Sequence, residues 1–451
     1  MQGGGKAWFL SFERFFDFRE QVIASEEKFD RIFEFVDQIA QGVLEFPGQA
    51  DDAGSRNKHR AMIAQSPMDI TLASPLLGGI SPQTFMRRHW QKKPLLVRQA
   101  VPGGIALLGR SQLFELAGAE EVESRLVVHR DDKWSLKSGP LPRSSLPPLK
   151  QRQWTLLVQG LDLHVPAARD LLDRFRFVPD ARLDDLMMSF ATDGGGVGPH
   201  IDSYDVFLLQ AQGRRRWRIG RVAKPELVPG VPLKVLSNFE AEHEWLLEPG
   251  DMLYLPPGWA HDGVAEGECT TCSIGFRAAG RDEIAREVLQ RMLDAADVDE
   301  AGPLYRDPAQ PATDQPGRVP EALGEFASMA VARLLSDPRA LACALGEVLS
   351  EPRRGVWFDE GDDDGAAESC GVRLDQRTRM LYDDQHVFIN GESFRAAGRD
   401  AKLMRRLADE RVLSVRDVAV LSGQARQLVD EWLAAGWLRF ASAELIEGDT
   451  E

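Results

Sequence analysis

The chain has 451 residues, 43% of them hydrophobic and 27% charged, and a formal net charge of −16 at pH 7. Its length predicts several globular domains, and it contains no run of about eighteen apolar residues that would predict a membrane-spanning helix. The negative charge argues against a nucleic-acid surface, which needs clustered Lys and Arg. Acidity suits a basic protein partner, and equally it simply keeps a cytoplasmic protein in solution.

Residues 1–67 differ in character from the rest of the chain. Ser25 can cap a helix in which Phe29, Ile32, Phe33, Val36 and Ala40 fall at helical spacing, and a loop-like stretch, PGQADDAGSRNKHR, follows. Charged residues interrupt the apolar patches at the N-terminus, so no signal peptide is predicted. We expect an appended helix and linker, or an over-translated leader, and assign it no function.

Residues 68–280 alternate helices and strands and then become a run of strands. Helices are expected from Ser81, from Ser111 to Ala117 and from Pro166, with strands at PLLVRQA, 125–129 and 154–159. The later strand-like runs are separated by glycine and proline turns, which predicts a β-sandwich or barrel. They are DLMMSFAT, DVFLLQ, RRWRIG, MLYLP and TTCSIGF, with DVFLLQ and RRWRIG as separate strands on either side of Gly213.

Helices dominate the remainder of the chain. Residues 281–355 favour helices, including RDEIAREVLQRML and FASMAVARLLS, and an acidic loop near residues 359–364 marks a boundary. Residues 365–451 predict two short strands, three helices and a final strand, WLRFA, a pattern that resembles a winged helix. The predicted fold class is therefore α+β.

The four cysteines are few and irregularly spaced, which suits a reducing cytoplasm. Cys269 and Cys272 match C-x-x-C but lie in a β-like stretch, where residues three apart point to opposite faces. Buried strand cysteines are expected in preference to a redox or zinc pair.

Two glycine-led segments carry a metal-ligand pattern. GGGVGPHID supplies His200 and Asp202, which share one face of a strand, and GDMLYLPPGWAH ends in His261. Two imidazoles and one carboxylate form the facial triad that binds Fe(II) and leaves positions open. The two strands must be neighbours for the ligands to meet. The glycine-rich stretch before His200 predicts a flexible loop at the mouth of the barrel.

These segments resemble the two cupin motifs, G-x5-H-x-[HD] from Gly194 and G-x5-P-x-G-x2-H from Gly250. Metallocupins often have a glutamate as fourth ligand shortly after the first motif. Here Asp205 follows, on the opposite strand face from Asp202, and is a poor ligand. Three ligands leave room for a bidentate co-substrate, as in Jumonji-C oxygenases that use 2-oxoglutarate.

A closer resemblance, from about residue 70 to the C-terminus, is to bacterial ribosomal oxygenases. PLLVRQAVPG, SFATDGGGVGPHIDSYDVFLLQAQGRRRWRIG, LEPGDMLYLPPGWAHDG and SIGFRA carry it. It implies a double-stranded β-helix barrel (68–280), a helical dimerisation region (281–355) and a winged-helix-like domain (365–451), hence a homodimer. It also implies Fe(II), 2-oxoglutarate and hydroxylation of an arginine β-carbon in a basic protein of the 50S ribosomal subunit.

Further site residues follow from that resemblance. Alternation along RRRWRIG places Arg215 inside the barrel with Trp217 and leaves Arg214, Arg216 and Arg218 in solvent. Arg215 matches the arginine that binds 2-oxoglutarate in the family. A cationic substrate needs a counter-charge near the iron, and Asp193 at a family-matched position is expected to supply it, with Tyr204 as a weaker choice. Asp193 as a plain turn residue stays open.

Two other functions stay open. The same chemistry can act on another residue, such as histidine, or on a non-ribosomal protein. Alternatively, the barrel is a non-catalytic sensor whose winged helix contacts DNA. The charge balance and the intact ligand triad weigh against the sensor.

Overall fold

A computed structural model describes residues 69–131, 133–295, 303–359 and 370–441. The appended helix and linker predicted for residues 1–67 lie outside these ranges. No described helix has the length and apolar character needed to cross a membrane.

The first part of the described chain builds one ten-stranded sheet with three α-helices against it. The helices are α1 (Pro82–Arg88), α2 (Arg110–Leu116) and α3 (Pro166–Asp173). The strands are β1 (Leu95–Val97), β2 (Ser124–Arg130), β3 (Lys133–Ser138), β4 (Trp154–Val158), β5 (Leu183–Ala191), β6 (His200–Ile201), β7 (Val206–Arg221), β8 (His243–Leu247), β9 (Met252–Leu255) and β10 (Trp259–Phe276).

Two long antiparallel strands, β7 and β10, hold this sheet together as a barrel. Along its main path the order is β1-β9-β7-β10-β5-β4-β2-β3, while β8 adds to β7 and β6 adds to β10. The β7–β10 register breaks between Glu266 and Thr270, where both strands turn from one layer into the other. Gly213 lies at this corner with φ +64, and a Cβ there would lie 2.2 Å from the Glu268 carbonyl oxygen. DVFLLQ and RRWRIG are therefore one bent strand, and the prediction of two was wrong.

Opposite faces of the sheet bury different side chains. Leu186, Met188 and Phe190 on β5 belong to a large core that includes residues of all three helices. A second core inside the barrel contains Trp217, Ile219 and, from the other strands, Val206, Leu208, Leu247, Leu253, Leu255 and Trp259. The period-2 alternation of each strand thus separates a packed outer face from the face that lines the barrel.

The second part of the described chain is mostly helical. Helices α4 (Arg281–Asp294) and α6 (Pro338–Ser350) pack through Val288, Met292, Ala344 and Val348, and α5 (Glu321–Leu335) precedes α6. Beyond them lie β11 (Gly371–Leu374), β12 (Met380–Tyr382), β13 (His386–Ile389), β14 (Glu392–Arg395), α7 (Gly398–Glu410), β15 (Val412–Leu413), α8 (Val415–Ala419), α9 (Gly423–Ala434) and β16 (Leu438–Ala441). The strands form two three-stranded sheets, β15-β11-β16 and β12-β13-β14.

This architecture confirms the predicted α+β class. Helices segregate from an antiparallel barrel instead of alternating with parallel strands. The sequence patterns missed β3 and β8, two short strands whose residues are largely exposed or half-buried.

Candidate metal centre and active site

Three side chains from the two glycine-led segments converge inside the barrel. His200 on β6 pairs directly with His261 on β10, and Asp202 follows β6. The requirement that the two strands be neighbours is confirmed by this register. Backbone contacts fix the approach, because the amide of Gly258 donates to the Asp202 carbonyl oxygen at 3.0 Å.

The three ligand groups are close enough to share one ion. His200 Nε2 lies 3.8 Å from one Asp202 carboxylate oxygen, and His261 Nε2 lies 3.6 Å from the other. Atoms that bind one metal ion at about 2 Å are at most about 4 Å apart, so these separations fit a common ion. Among the described residues, this is the one group of three or more His, Cys, Asp or Glu side chains with that geometry.

Both imidazoles are oriented as metal ligands by backbone carbonyls. His200 Nδ1 lies 2.9 Å from the Gly198 carbonyl oxygen, and His261 Nδ1 lies 3.1 Å from that of Trp259. A carbonyl can only accept, so each Nδ1 donates its proton and each Nε2 keeps a free lone pair toward Asp202. Burial lowers the pKa of His261 to about 3, and nearby His200 adds to the effect. His261 is therefore a neutral ligand at neutral pH.

Neighbouring groups only partly stabilise the ionised form of the buried Asp202 carboxylate. Burial raises the pKa of Asp202 above its ordinary value, while His200, a hydrogen bond from Tyr204 and the charge of Arg125 partly offset that rise. A divalent cation would favour the ionised form. His200 and Asp202 keep about a fifth to a quarter of their side-chain surface exposed, 25% and 21%, whereas His261 keeps 3%. The open side is where additional ligands can enter.

Arg215 is a buried cation without an acceptor for two of its nitrogens. The residue is 5% exposed, and its Nε and Nη2 atoms have no hydrogen-bond partner in the described part of the chain. Arg214, Arg216 and Arg218 have 54%, 42% and 44% exposed side chains. The parity argument is therefore confirmed for all four arginines. Such a buried guanidinium fits the distal carboxylate of a dicarboxylic co-substrate.

Arg215 and His261 line the same face of the barrel. Arg215 pairs with Ala265, and Ile219 pairs with His261 further along the same two strands. The Trp217 ring lies between them, with its centroid 5.9 Å from that of His261. A Cβ on Gly263 would lie 2.7 Å from this ring, so the glycine gives the indole its space. Trp217 thereby packs in the barrel core, as predicted.

The glycine-rich stretch before His200 is held by hydrogen bonds. Gly194 N donates to the Ala265 carbonyl at 2.9 Å, and Ala265 N donates to that of Gly195 at 2.9 Å. A Cβ on Gly195 would lie 2.5 Å from the Trp154 carbonyl oxygen. These glycines permit close backbone packing against β4 and β10, and the flexibility of the loop stays a prediction.

Asp193 and Tyr204, the predicted substrate-binding residues, have different surroundings. Asp193 accepts from Gly267 N at 2.8 Å and pairs with Arg152 at 2.5 Å, and its side chain is 45% exposed. These contacts brace a turn, and the substrate role of Asp193 stays a prediction. Tyr204 is 39% exposed, and burial of its hydroxyl together with the Asp202 charge raises its pKa.

Asp205 points away from the metal-ligand group, as the strand parity predicted. It is fully buried and accepts hydrogen bonds from the Tyr254 hydroxyl at 2.6 Å and Gln91 Nε2 at 3.0 Å.

Cys269 and Cys272 are buried free thiols, and burial raises the pKa of Cys272 to about 12.

Sequence reasoning missed two charged residues near the site. The positive charge of Arg125, on β2, lowers the pKa of both Asp202 and Tyr204. Its guanidinium donates to the Gln159 side chain at 2.6 Å. The negative charge of Asp185, on β5, raises the pKa of Tyr204. The only sequence signal for either is a charge within an otherwise apolar strand.

Comparisons with known proteins agree with the geometry. The JmjC domain family matches residues 170–284, and the ROXA-like winged helix family matches residues 333–439. The ribosomal protein uL16 3-hydroxylase of Escherichia coli K12 is 40% identical over 333 residues, covering 70% of this chain and 86% of the relative. A probable ribosomal oxygenase of Haemophilus influenzae is 38% identical over 220 residues, covering 48% of this chain and 53% of the relative.

Solved structures give the same result. The ribosomal oxygenase YcfD from Escherichia coli, in complex with cobalt and 2-oxoglutarate, superposes with a TM-score of 0.68 at 31% identity. The match covers 80% of this chain and 98% of that chain. Another structure of Escherichia coli YcfD gives a TM-score of 0.70 over the same shares.

Proposed function

The chain belongs to the JmjC ribosomal oxygenases, and on that basis we propose that it is an Fe(II)- and 2-oxoglutarate-dependent dioxygenase that hydroxylates the β-carbon of an arginine in a 50S ribosomal protein. One observation carries the proposal. A three-ligand group with an open side shares the barrel interior with Arg215, a buried guanidinium two of whose nitrogens have no acceptor among the described residues. A metal ion and a dicarboxylate satisfy both groups together.

Each residue of the site has a defined task in this function. When bound, Fe(II) and 2-oxoglutarate supply dioxygen activation for C–H hydroxylation, and 2-oxoglutarate leaves as succinate and CO2. His200, Asp202 and His261 would hold the iron on one face, with the imidazole lone pairs aimed by Gly198 and Trp259. Arg215 would orient 2-oxoglutarate through its distal carboxylate.

The substrate assignment rests on relatives and on charge. The Escherichia coli relative is named for ribosomal protein uL16, and a net charge of −16 favours encounter with a basic ribosomal protein. Asp193 and Tyr204 are the proposed contacts for the cationic side chain. To bind the substrate guanidinium, the Asp193 carboxylate must give up its ion pair with Arg152. Breaking that pair costs little free energy because the Arg152 side chain is 72% exposed.

The test uses purified protein, Fe(II), 2-oxoglutarate and a peptide from uL16. We expect succinate formation and a peptide that gains one oxygen atom on an arginine, located by tandem mass spectrometry. His200→Ala should abolish both, and Lys402→Ala, which changes an exposed side chain on α7, should leave both unchanged. An oxygen on histidine would contradict the arginine assignment, and succinate formation by His200→Ala would contradict the proposed site.

We propose the domain division 68–280, 281–355 and 365–451, cytoplasmic location beside ribosomes, and a homodimer formed through the helical region. Helix α5 supports the homodimer because none of its side chains is buried and Met329, Val331 and Leu335 are 64%, 58% and 45% exposed. Such an apolar face is typical of an interface. Met329→Glu combined with Val331→Glu should convert a dimer to a monomer in sedimentation analysis, and a wild-type monomer would refute this assembly.

A further inference from the structure

A buried ion pair connects the segment after α6 to the catalytic barrel. The Arg353 guanidinium donates through Nη1 to Asp162 at 3.3 Å and through Nη2 to the other carboxylate oxygen of the same residue. Asp162 is fully buried, and the Arg353 side chain is 18% exposed. Two parallel donors on one carboxylate define the position of both groups more tightly than a single contact. Arg353 also lies within the segment matched by the winged-helix family.

Asp162 uses the same carboxylate to hold a strand of the barrel. Its Oδ1 atom accepts a hydrogen bond from the backbone amide of Leu186, on β5, at 3.0 Å. Asp162 lies in a short 3-10 helix, Leu161–Leu163, that follows β4. The amide of Gly160, at the start of this turn, donates to the Asp185 side chain at 3.1 Å. Arg353 is therefore connected, through one carboxylate, to the beginning of β5.

The beginning of β5 forms part of the wall of the candidate active site. Leu186 faces the outer core, so its neighbour Asp185 faces the barrel interior. Leu183, at the start of β5, pairs with Phe276 of β10, and the neighbouring Gly275 pairs with Val206, four residues after Asp202. A Cβ on Gly275 would lie 3.2 Å from the Asp185 carboxylate, so this carboxylate lies beside the point where β10 meets the start of β7.

We propose that Arg353 is a positioning residue for the hydroxylation reaction: by holding Asp162 it places the start of β5, and with it the Asp185 side chain on the barrel wall, for the substrate. The C-terminal half of the chain is thereby required for productive catalysis through a specific contact. The catalytic part of this inference rests on the proposed function, but the structural part does not.

The surrounding charges explain why this contact is sensitive. Asp162, Asp184 and Asp185 lie together, and Arg353 is the cation that faces all three. Arg277 pairs with Asp184 at 3.2 Å. Without Arg353, the one hydrogen bond left to the Asp162 side chain from the described residues is that of the Leu186 amide, and a buried charge loses its partner. Because β5 is held at this point by that carboxylate, its first residues should shift or open locally.

Amide hydrogen exchange tests the structural part in the full-length protein. Arg353→Gln should accelerate exchange across residues 183–188 by about tenfold or more, since the Leu186 hydrogen bond weakens. Arg354→Gln is the matched control because Arg354 is its exposed neighbour and carries the same charge. Equal protection of residues 183–188 in wild type and Arg353→Gln would overturn the proposal.

Coupling of the two half-reactions tests the catalytic part. The ligand triad and Arg215 lie on β6, β7 and β10 or directly after β6, and none lies on β5, so Arg353→Gln should still convert 2-oxoglutarate to succinate. Hydroxylation of the peptide should fall, and the ratio of succinate to hydroxylated product should rise by about tenfold, because small misplacements at reacting atoms cost up to about a hundredfold. A merely structural role would reduce both activities together and leave the ratio unchanged, which would overturn the proposal.

Two further variants protect the test against misfolding. Arg353→Lys keeps the charge but loses the two-donor geometry, so it should fold and still show a raised ratio. Arg353→Gln combined with Asp162→Asn removes the unpaired buried charge and should recover the thermal stability without recovering the wild-type ratio. A wild-type ratio in either variant would overturn positioning. If wild-type protein hydroxylates no ribosomal peptide, the proposed function fails, whereas the exchange comparison still decides the structural part.

Discussion

Replacing Arg215 with methionine should stabilise the ligand-free protein and abolish tight binding of 2-oxoglutarate. Methionine matches the length of the arginine stem, so the barrel core with Trp217 stays filled. The residue is 5% exposed, and two of its nitrogens have no acceptor in the described structure. The guanidinium therefore costs desolvation energy until an anion arrives.

The two effects have opposite signs and different sizes. Losing one partner of a buried charge pair costs about 3 to 5 kcal/mol, which raises the dissociation constant of 2-oxoglutarate by roughly two to three and a half powers of ten. Replacing a buried charge with a packed apolar side chain is neutral or stabilising by about 1 to 4 kcal/mol. Arg215→Met should therefore have an equal or higher melting temperature without ligand.

Calorimetric titration with 2-oxoglutarate, in the presence of the metal and without oxygen, measures the affinity, and thermal melting of the ligand-free protein measures the stability. Arg214→Met is the control, because its side chain is 54% exposed and 3.9 Å from Glu266, and it should change stability by less than about 0.5 kcal/mol. Wild-type affinity in Arg215→Met would place the distal carboxylate elsewhere. A clearly lower melting temperature would show that Arg215 is already paired without ligand.

Two other substitutions test the barrel wall. Burial, together with the nearby charge of Asp184, raises the pKa of Asp185 to about 6. The folded state therefore binds this proton more tightly than the unfolded state does, and stability is lost as the pH rises from about 4 to 6. Asp185→Asn should consequently raise the melting temperature at pH 8 but not at pH 4, and an equal gain at both values would contradict the charge argument. Gly263→Ala places a Cβ 2.7 Å from the Trp217 ring and should destabilise the protein by about 1 to 3 kcal/mol in chemical denaturation. Gly324→Ala, with nothing within 4 Å of its Cβ in a helix, should be neutral or stabilising, and similar effects of the two alanines would refute the packing argument.

Local patterns were sufficient wherever one strand or helix decides the outcome. The i, i+2 spacing of His200 and Asp202 and the inward parity of Arg215 follow from the period of a β-strand, and the structure agrees with the parity. Helix bounds near Pro82 and Pro166 follow from proline at a first turn. The corner at Gly213 was not predictable in this way, because a glycine between two apolar runs equally signals a turn or a bend within one strand.

Sequence alone thus determined which side chains the site offers, because residue type and strand parity are properties of a few neighbouring residues. Only the tertiary structure decided their partners. The pairing of His200 with His261 depends on the register between strands that are distant in sequence, and the lack of an acceptor for two Arg215 nitrogens in the described structure depends on everything packed around them. The contact of Arg353 with Asp162 joins residues 191 positions apart. Such contacts are set by the summed packing of the whole barrel and its helices, which no local pattern contains.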